Sequence, residues 1–445
     1  GAEHSPLYKS KRWDGKKHVY SVKKTQLPIG LFTLFNKFLS DYNTYYKTQW
    51  KCVINDLRNK EVMNNKYNTN FKVSTMTPRY YQEDAIKAAM ENDIGILYLG
   101  TSAGKTLIAE EIIRKVDGRA LFIVNRIELA RQTKEEFEKD LIDEVGLILS
   151  GDMDLTKKVT VACIQSIFAI LKRNNETSKK LKLFLLNVNL VIWDEAQNVK
   201  NSGMYDLVKK HMVNLKHIYG LTGTPFRNDE HTLLMKSIVG DVIYSKSTEE
   251  LAKEGYITTS KCLFVDNKKP EVIPVFESYH EAYDFLITNN LKRNMLILAM
   301  KNLFKDKKIL ILTRIVEHAK LLSKMLECNY ITGGTKSEER QQIFKDFKEG
   351  KINVMVGSTK IFSAGINIPT LDIIINACAN KSSVDTIQSI GRVLRKSEGK
   401  EHGLYIDFND NHTLFKDFSK ERKEILKQFG HIIIQIDDIK EMFIY

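Results

Sequence analysis

From about residue 76 onward, short apolar runs alternate with amphipathic stretches. "IGILYL" (94–99), "ALFIV" (120–124), "VTVAC" (159–163), "LVIWD" (190–194) and "HIYGLT" (217–222) predict buried strands, with helical segments such as "IELARQTKEEFEKDL" between them. Strands this uniformly apolar are covered on both faces, and strand–helix alternation predicts a parallel sheet with helices on each side. The rhythm breaks over 261–300, where Pro270 and Pro274 precede a long helical stretch, "EAYDFLITNNLKRNMLILAMKNLF". This reads as a connecting segment. Alternation resumes over 301–412 with "KILILT", "CNYIT", "INVMVG", "LDIIIN" and "HGLYIDF". Residues 413–445 close the chain with a charged helix, "FKDFSKERKEILKQFG", and a strand-like run, "HIIIQI". The expected fold class is α/β, with one parallel-sheet domain over 76–260 and a second, similar one over 301–412.

Residues 1–75 follow another pattern. "KRWDGKKHVYSVKK" predicts a hairpin turning at Asp14-Gly15. After the break at Pro28 and Gly30, Leu31, Leu34, Phe35 and Phe38 recur at helical spacing, so a small α+β module is expected. Charge sharpens this division. The chain carries a formal net charge of +13, and residues 1–75 hold 14 Lys and Arg against 5 Asp and Glu. Such a basic, aromatic end either meets a polyanion, nucleic acid first, or is a solvated basic face. The cysteines (Cys52, Cys163, Cys262, Cys328 and Cys378) are scattered without a C-x-x-C pair, which argues against zinc or a disulfide framework and fits a reducing cytoplasm. No apolar stretch approaches membrane-spanning length, and no membrane partner is expected.

Three constellations carry chemistry. In "YLGTSAGKTL", strand, tight loop and helix follow one another as a phosphate-binding loop requires. Backbone N–H groups of Ser102, Ala103, Gly104 and Lys105 would face phosphates at a helix N-terminus, Lys105 would pair with the β/γ-phosphates, and Thr106 would offer a hydroxyl to Mg²⁺. The first glycine of the usual G-x-x-x-x-G-K-[ST] pattern is missing, since Leu99 stands there. Second, "LVIWDEAQ" places Asp194 and Glu195 together at the end of an apolar strand, where a carboxylate pair needs work or partners. In a nucleoside triphosphatase the first holds Mg²⁺ and the second deprotonates the attacking water; Trp193 beside them is expected in the core. Third, "QSIGRVLRK" sets Gln388, Arg392 and Arg395 on one predicted helix, the arginines three apart and on one face. They are either solvated or arginine fingers that stabilise charge on the γ-phosphate.

Taken in order, these segments resemble the superfamily 2 helicases and translocases over roughly residues 76–412. "TPRYYQEDAI" resembles the adenine-reading Q motif, with Gln82 as base contact and Arg79 nearby; "LGTSAGKT" resembles Walker A and "DEAQ" Walker B. "IVNRIELARQ", "LTGTP", "TRIVEHA", "STKIFSAGINIP" and "QSIGRVLRK" resemble motifs Ia, III, IV, V and VI. The resemblance implies two tandem RecA-like domains plus the N-terminal module, with ATP and Mg²⁺ as cofactors. It implies ATP binding by Arg79, Gln82, Thr101, Ser102, Ala103, Gly104, Lys105, Thr106, Gly365 and Asn367, with Mg²⁺ on Thr106 and Asp194. Catalysis would fall to Glu195, Asp194, Lys105, Gln388, Arg392 and Arg395. Nucleic-acid contacts would fall to Arg126, Gln132, Thr222, Thr224 and Thr359. Motif V departs from the common form, since Asn367 stands where an Asp is usual, and Walker B ends in Gln197 rather than Asp or His.

A narrower resemblance is to the phage UvsW-like branch-migration helicases, including those of T-five-type coliphages. It rests on the T-S-A-G-K-[ST] loop, the G-R-V-L-R-K motif VI, and the segments Trp13-Asp14-Gly15 and Leu27-Pro28-Ile29-Gly30-Leu31. It implies forked or four-way DNA as partner, a monomer, and the host cytoplasm as location. In the N-terminal module, Arg12, Lys16 and Lys17 could neutralise phosphates, while Trp13 either stacks on an exposed base or anchors the module's own core. An RNA helicase, a restriction-enzyme motor and a nucleotide-gated DNA clamp are the competing readings.

Overall fold

The structure, a computed structural model, describes residues 27–59, 70–198, 202–223, 230–257, 260–268, 270–362, 371–380 and 403–444. They form two compact units, one within 27–99 and 104–245 and the other within 100–103 and 246–444.

The first unit opens with helix α1 (Phe32–Tyr46). Leu31, just ahead of it, is buried, but Leu34, Phe35 and Phe38 are exposed, so the apolar spacing makes a helix without making a core. Next come α2 (Tyr80–Glu91), β1 (Ile94–Leu99), α3 (Lys105–Lys115), β2 (Arg119–Val124) and α4 (Ile127–Asp140). They are followed by β3 (Gly146–Leu149), β4 (Asp152–Met153), β5 (Val159–Cys163), β6 (Val188–Trp193), β7 (His217–Thr222) and β8 (Val242–Lys246). The eight strands lie in the order β4-β3-β5-β2-β6-β7-β1-β8. β1, β2, β5, β6 and β7 pair in parallel, as their apolar runs predict; β3 and β4, which the pattern did not announce, form an antiparallel corner. Trp193 packs in the core at 5.1 Å from the Tyr205 ring.

The second unit holds α5 (Thr248–Lys253), β9 (Ser260–Asn267), α6 (Leu291–Leu303), β10 (Ile309–Thr313), β11 (Asn329–Ile331) and β12 (Val354–Ser358). β13 (Ile373–Asn376), β14 (Gly403–Asp410), α7 (Thr413–Gln428) and β15 (Ile432–Ile436) complete it. Its seven strands run in the order β11-β12-β10-β13-β14-β9-β15, every pair parallel.

Two expectations change here. The supposed connector 261–300 begins with β9, which lies between β14 and β15; Cys262, Leu263, Phe264 and Val265 are all buried. The nearby prolines end this strand rather than exclude it. The long helix expected after them is broken into a short turn at Tyr279–Tyr283, a π-helical turn at Asp284–Thr288, and α6. Asn290 makes the break: its side chain accepts a hydrogen bond from the Arg293 N–H and starts α6 afresh.

α7 is pinned to its sheet by a buried ion pair. Arg422 donates through Nε to Asp407 Oδ2 at 2.8 Å and through Nη2 to Asp407 Oδ1 at 2.9 Å. Tyr405 and Asn376 also donate to Oδ2, each at 3.0 Å, so the carboxylate is fully used.

Candidate nucleotide site

In a parallel sheet, ligands gather at the carboxyl ends of the strands. The neighbours β6, β7 and β1 end here in Asp194-Glu195, Thr222 and the loop from Gly100 to Thr106, so residues far apart in sequence meet at one edge. The register sets Tyr98 opposite Thr222 and Trp193 opposite Gly220.

The loop shows why the usual first glycine is absent. Leu99 is still the last residue of β1, and its side chain is buried. Close backbone approach is needed one residue later: a Cβ on Gly100 would lie 2.6 Å from the Thr248 nitrogen and 2.8 Å from its Cα. Gly100 N–H donates to the Lys246 carbonyl at 2.8 Å, and Thr101 N–H donates to Thr248 Oγ1 at 3.3 Å. The loop then turns through left-handed conformations at Ser102 (φ 66°) and Gly104 (φ 77°) before α3 begins at Lys105.

Gln82 lies against this turn, its Nε2 occupying the space a side chain at residue 104 would need. Its Oε1 accepts the Arg79 backbone N–H at 2.8 Å and caps α2. Arg79 donates through Nη1 to the Tyr81 hydroxyl at 3.3 Å. Gln82 thus stands beside the loop, with Arg79 bonded to it at the head of α2.

Glu195 is held at φ 49°; with Ser102 it is one of six non-glycine residues at positive φ among the described residues, and two of the six fall in this site. Such strain persists only where surrounding contacts enforce it. Gln197 Nε2 donates to Glu195 Oε2, and the Thr222 hydroxyl donates to Gln197 Oε1 at 2.6 Å. A continuous side-chain chain therefore runs from the end of β7 to the carboxylate. Burial, and then the Glu195 charge, push Asp194 up to about 7, while Lys105 pulls the other way.

The oxygen-only pair of Thr106 and Asp194 suits a hard cation. Among the described residues no cluster of three His, Cys, Asp or Glu could cage a metal. A Mg²⁺ ion is commonly held by one or two carboxylates plus substrate phosphates.

Thr222 is fully buried, and its hydroxyl donates to Gln197 Oε1. Arg126, half-buried, directly precedes α4. Gln132 donates to Glu136 Oε1 at 2.9 Å one turn on, and Thr359 follows directly on β12. Thr224, Gly365, Asn367, Gln388, Arg392, Arg395, Arg12, Trp13, Lys16 and Lys17 lie outside the described residues. Residue-by-residue reading gave no role to Gln197 or Thr248. The first could have been found from its place two residues past Glu195; nothing local marks the second, whose partner Thr101 is 147 residues away.

Comparisons with known proteins agree with this architecture. Residues 75–227 match the family described as type III restriction enzyme, res subunit, and residues 291–397 match the helicase conserved C-terminal domain. The chain is 28% identical over 389 residues to the DNA 3'-5' translocase XPB2 of Sulfurisphaera tokodaii, spanning 78% of this chain and 84% of that protein. It is 25% identical over 442 residues to the ATP-dependent DNA helicase uvsW of Enterobacteria phage T4, spanning 92% of this chain and 84% of that one. The fold is shared with S. cerevisiae Dbp5 bound to RNA and ADP BeF3, at a TM-score of 0.61 and 19% identity over 83% of this chain and 93% of that chain. With two parallel-sheet units and both helicase-type domains in order, the chain belongs to the superfamily 2 helicases, ATP-driven nucleic-acid motors, and is similar to the phage UvsW-like helicases.

Proposed function

We propose that this motor is an ATP-dependent DNA helicase or translocase that remodels branched DNA by branch migration and fork regression. The observation that carries the DNA reading is the extent of the match to the phage T4 DNA helicase, 92% of this chain. That span reaches beyond the two helicase-type domains, which together cover residues 75–227 and 291–397. The basic balance of residues 1–75 supports the same reading, since Lys and Arg side chains there would neutralise phosphates whatever the base sequence.

In this reading Gly104 and the N-terminus of α3 receive the phosphates, with Lys105 on the β/γ-phosphates. Thr106 and Asp194 would hold Mg²⁺, which supplies charge neutralisation on the transferring phosphoryl group. Glu195 accepts the proton of the attacking water, with Gln197 and Thr222 keeping its carboxylate aimed. Gln82 and Arg79 read the base, and Gly365 and Asn367 line the nucleotide from motif V. Arg392 and Arg395, with Gln388, offset charge on the γ-phosphate. Arg126, Gln132, Thr224 and Thr359 contact the DNA strand, and Arg12, Trp13, Lys16 and Lys17 engage the branch.

The test compares ATP turnover without nucleic acid and with single strands, duplex, forks, four-way junctions and RNA. Stimulation greatest on branched DNA is expected, and Lys105→Ala should abolish it. RNA exceeding every DNA would replace this reading with an RNA helicase, and DNA binding without turnover would replace it with a clamp.

A further inference from the structure

Gly100, the first residue of the phosphate-binding loop, is still held by the first sheet: its N–H donates to the carbonyl of Lys246, the last residue of β8, the neighbour of β1. Thr101 N–H then donates to the hydroxyl of Thr248, the first residue of α5, at 3.3 Å, and the backbone of Thr248 fills the space beside Gly100. Thr248 itself is buried.

α5 is short but tightly framed. Ser247 and Glu250 form a reciprocal capping box: Ser247 Oγ accepts the Glu250 N–H at 3.2 Å, and Glu250 Oε2 accepts the Ser247 N–H at 2.7 Å. Lys246 and Glu254 close the helix from end to end at 2.5 Å, and Leu251 is buried. On another side α5 meets the turn between α7 and β15. Gly430 sits there at φ 75°, and a Cβ on it would come within 2.7 Å of Glu249 Cγ. β15 pairs with β9, the strand that follows α5 in the chain. One helix therefore touches the phosphate loop, the Gly430 turn and, through the chain, the edge of the second sheet.

We infer that α5 is a coupling element, with Thr248 as the positioning residue that passes the state of the phosphate loop to the β9–β15 edge of the second unit. Phosphate entering the loop must set the Gly100–Ala103 backbone. The Thr101 amide is tied to Thr248, so α5 moves with it and Glu249 presses on or leaves the Gly430 turn. The inference rests on the nucleotide-site reading above and assigns to that site a route by which hydrolysis is felt elsewhere.

The test uses the full chain. Thr248→Val keeps the shape and removes the acceptor, and Thr248→Ser restores it. Fluorescent ADP binding without nucleic acid should weaken about five- to tenfold in Thr248→Val and stay within about twofold in Thr248→Ser. Gly430→Asn retains a residue tolerant of the left-handed turn but crowds Glu249. Glu249→Ala empties the same contact without touching the turn, and so serves if the Asn variant does not fold. Base pairs opened per ATP should fall about threefold or more in whichever of these folds, with ATP still hydrolysed. Wild-type nucleotide affinity in Thr248→Val, or wild-type base pairs per ATP in Gly430→Asn and Glu249→Ala, would overturn the inference. A native chain that binds ADP but opens no duplex would instead sink the helicase reading, and the nucleotide arm would still decide the role of Thr248.

Discussion

Asp194 keeps its proton more tightly than an ordinary aspartate, because burial and Glu195 both disfavour its charge. Between the ordinary value of 3.8 and about 7, the folded chain holds a proton there that the unfolded chain has released. Folding stability therefore falls as pH rises through that window and stays low above it. Asp194→Asn should raise the melting temperature of the nucleotide-free protein at about pH 8 and leave it nearly unchanged at about pH 4. Equal shifts at both would remove burial as the cause. Glu195 depends instead on geometry. Thr222→Val and Gln197→Ala should each lower kcat about tenfold with little change in the KM for ATP, and the double variant should cost little more than either single one. Full additivity in steady-state kinetics would mean that the two side chains do not act as one chain. Glu110 adds a second pH effect: burial, then Asp140, raise it to about 8, so stability should decline as pH rises toward that value and Glu110→Gln should flatten the decline in thermal melts.

At the scale of elements, apolar runs located β1, β2, β5, β6 and β7 because a strand covered on both faces has no polar alternation to blur it. The same rule failed for β9. Its four apolar residues sit among lysines and ahead of two prolines, and only its neighbours β14 and β15 explain their burial. The broken helix before α6 was hidden for a different reason: Leu286, Ile287 and Ile297 continue the apolar pattern across a cap that depends on one Asn side chain. α7 was legible as a charged helix, but its anchor was not, since Arg422 reads as one more surface charge in "KDFSKERKEILKQ". Arg422→Ala leaves Asp407 buried and uncompensated, and should cost about 3–5 kcal/mol in denaturant unfolding. A loss below about 1 kcal/mol would show that water reaches Asp407.

For the whole molecule, the uneven charge makes a prediction that no single residue does. Removing residues 1–26 takes away 7 Lys and Arg and 2 Asp and Glu. DNA affinity measured by fluorescence anisotropy across a salt series should weaken, and the slope of log affinity against log salt should become shallower by up to about 6. An unchanged slope would place the phosphate contacts elsewhere. The amino-acid sequence by itself determined the fold class and the duplication of the α/β pattern, and it singled out Lys105, Asp194 and Glu195 as candidates, because apolar period and local motif are properties of contiguous residues. It also left open why the loop begins one residue late. Only the tertiary structure decided that, by laying Thr248 across Gly100, burying Thr222 behind Gln197, and threading β9 between β14 and β15. Each of these joins residues distant along the chain, and close packing, not local preference, selects which of them meet.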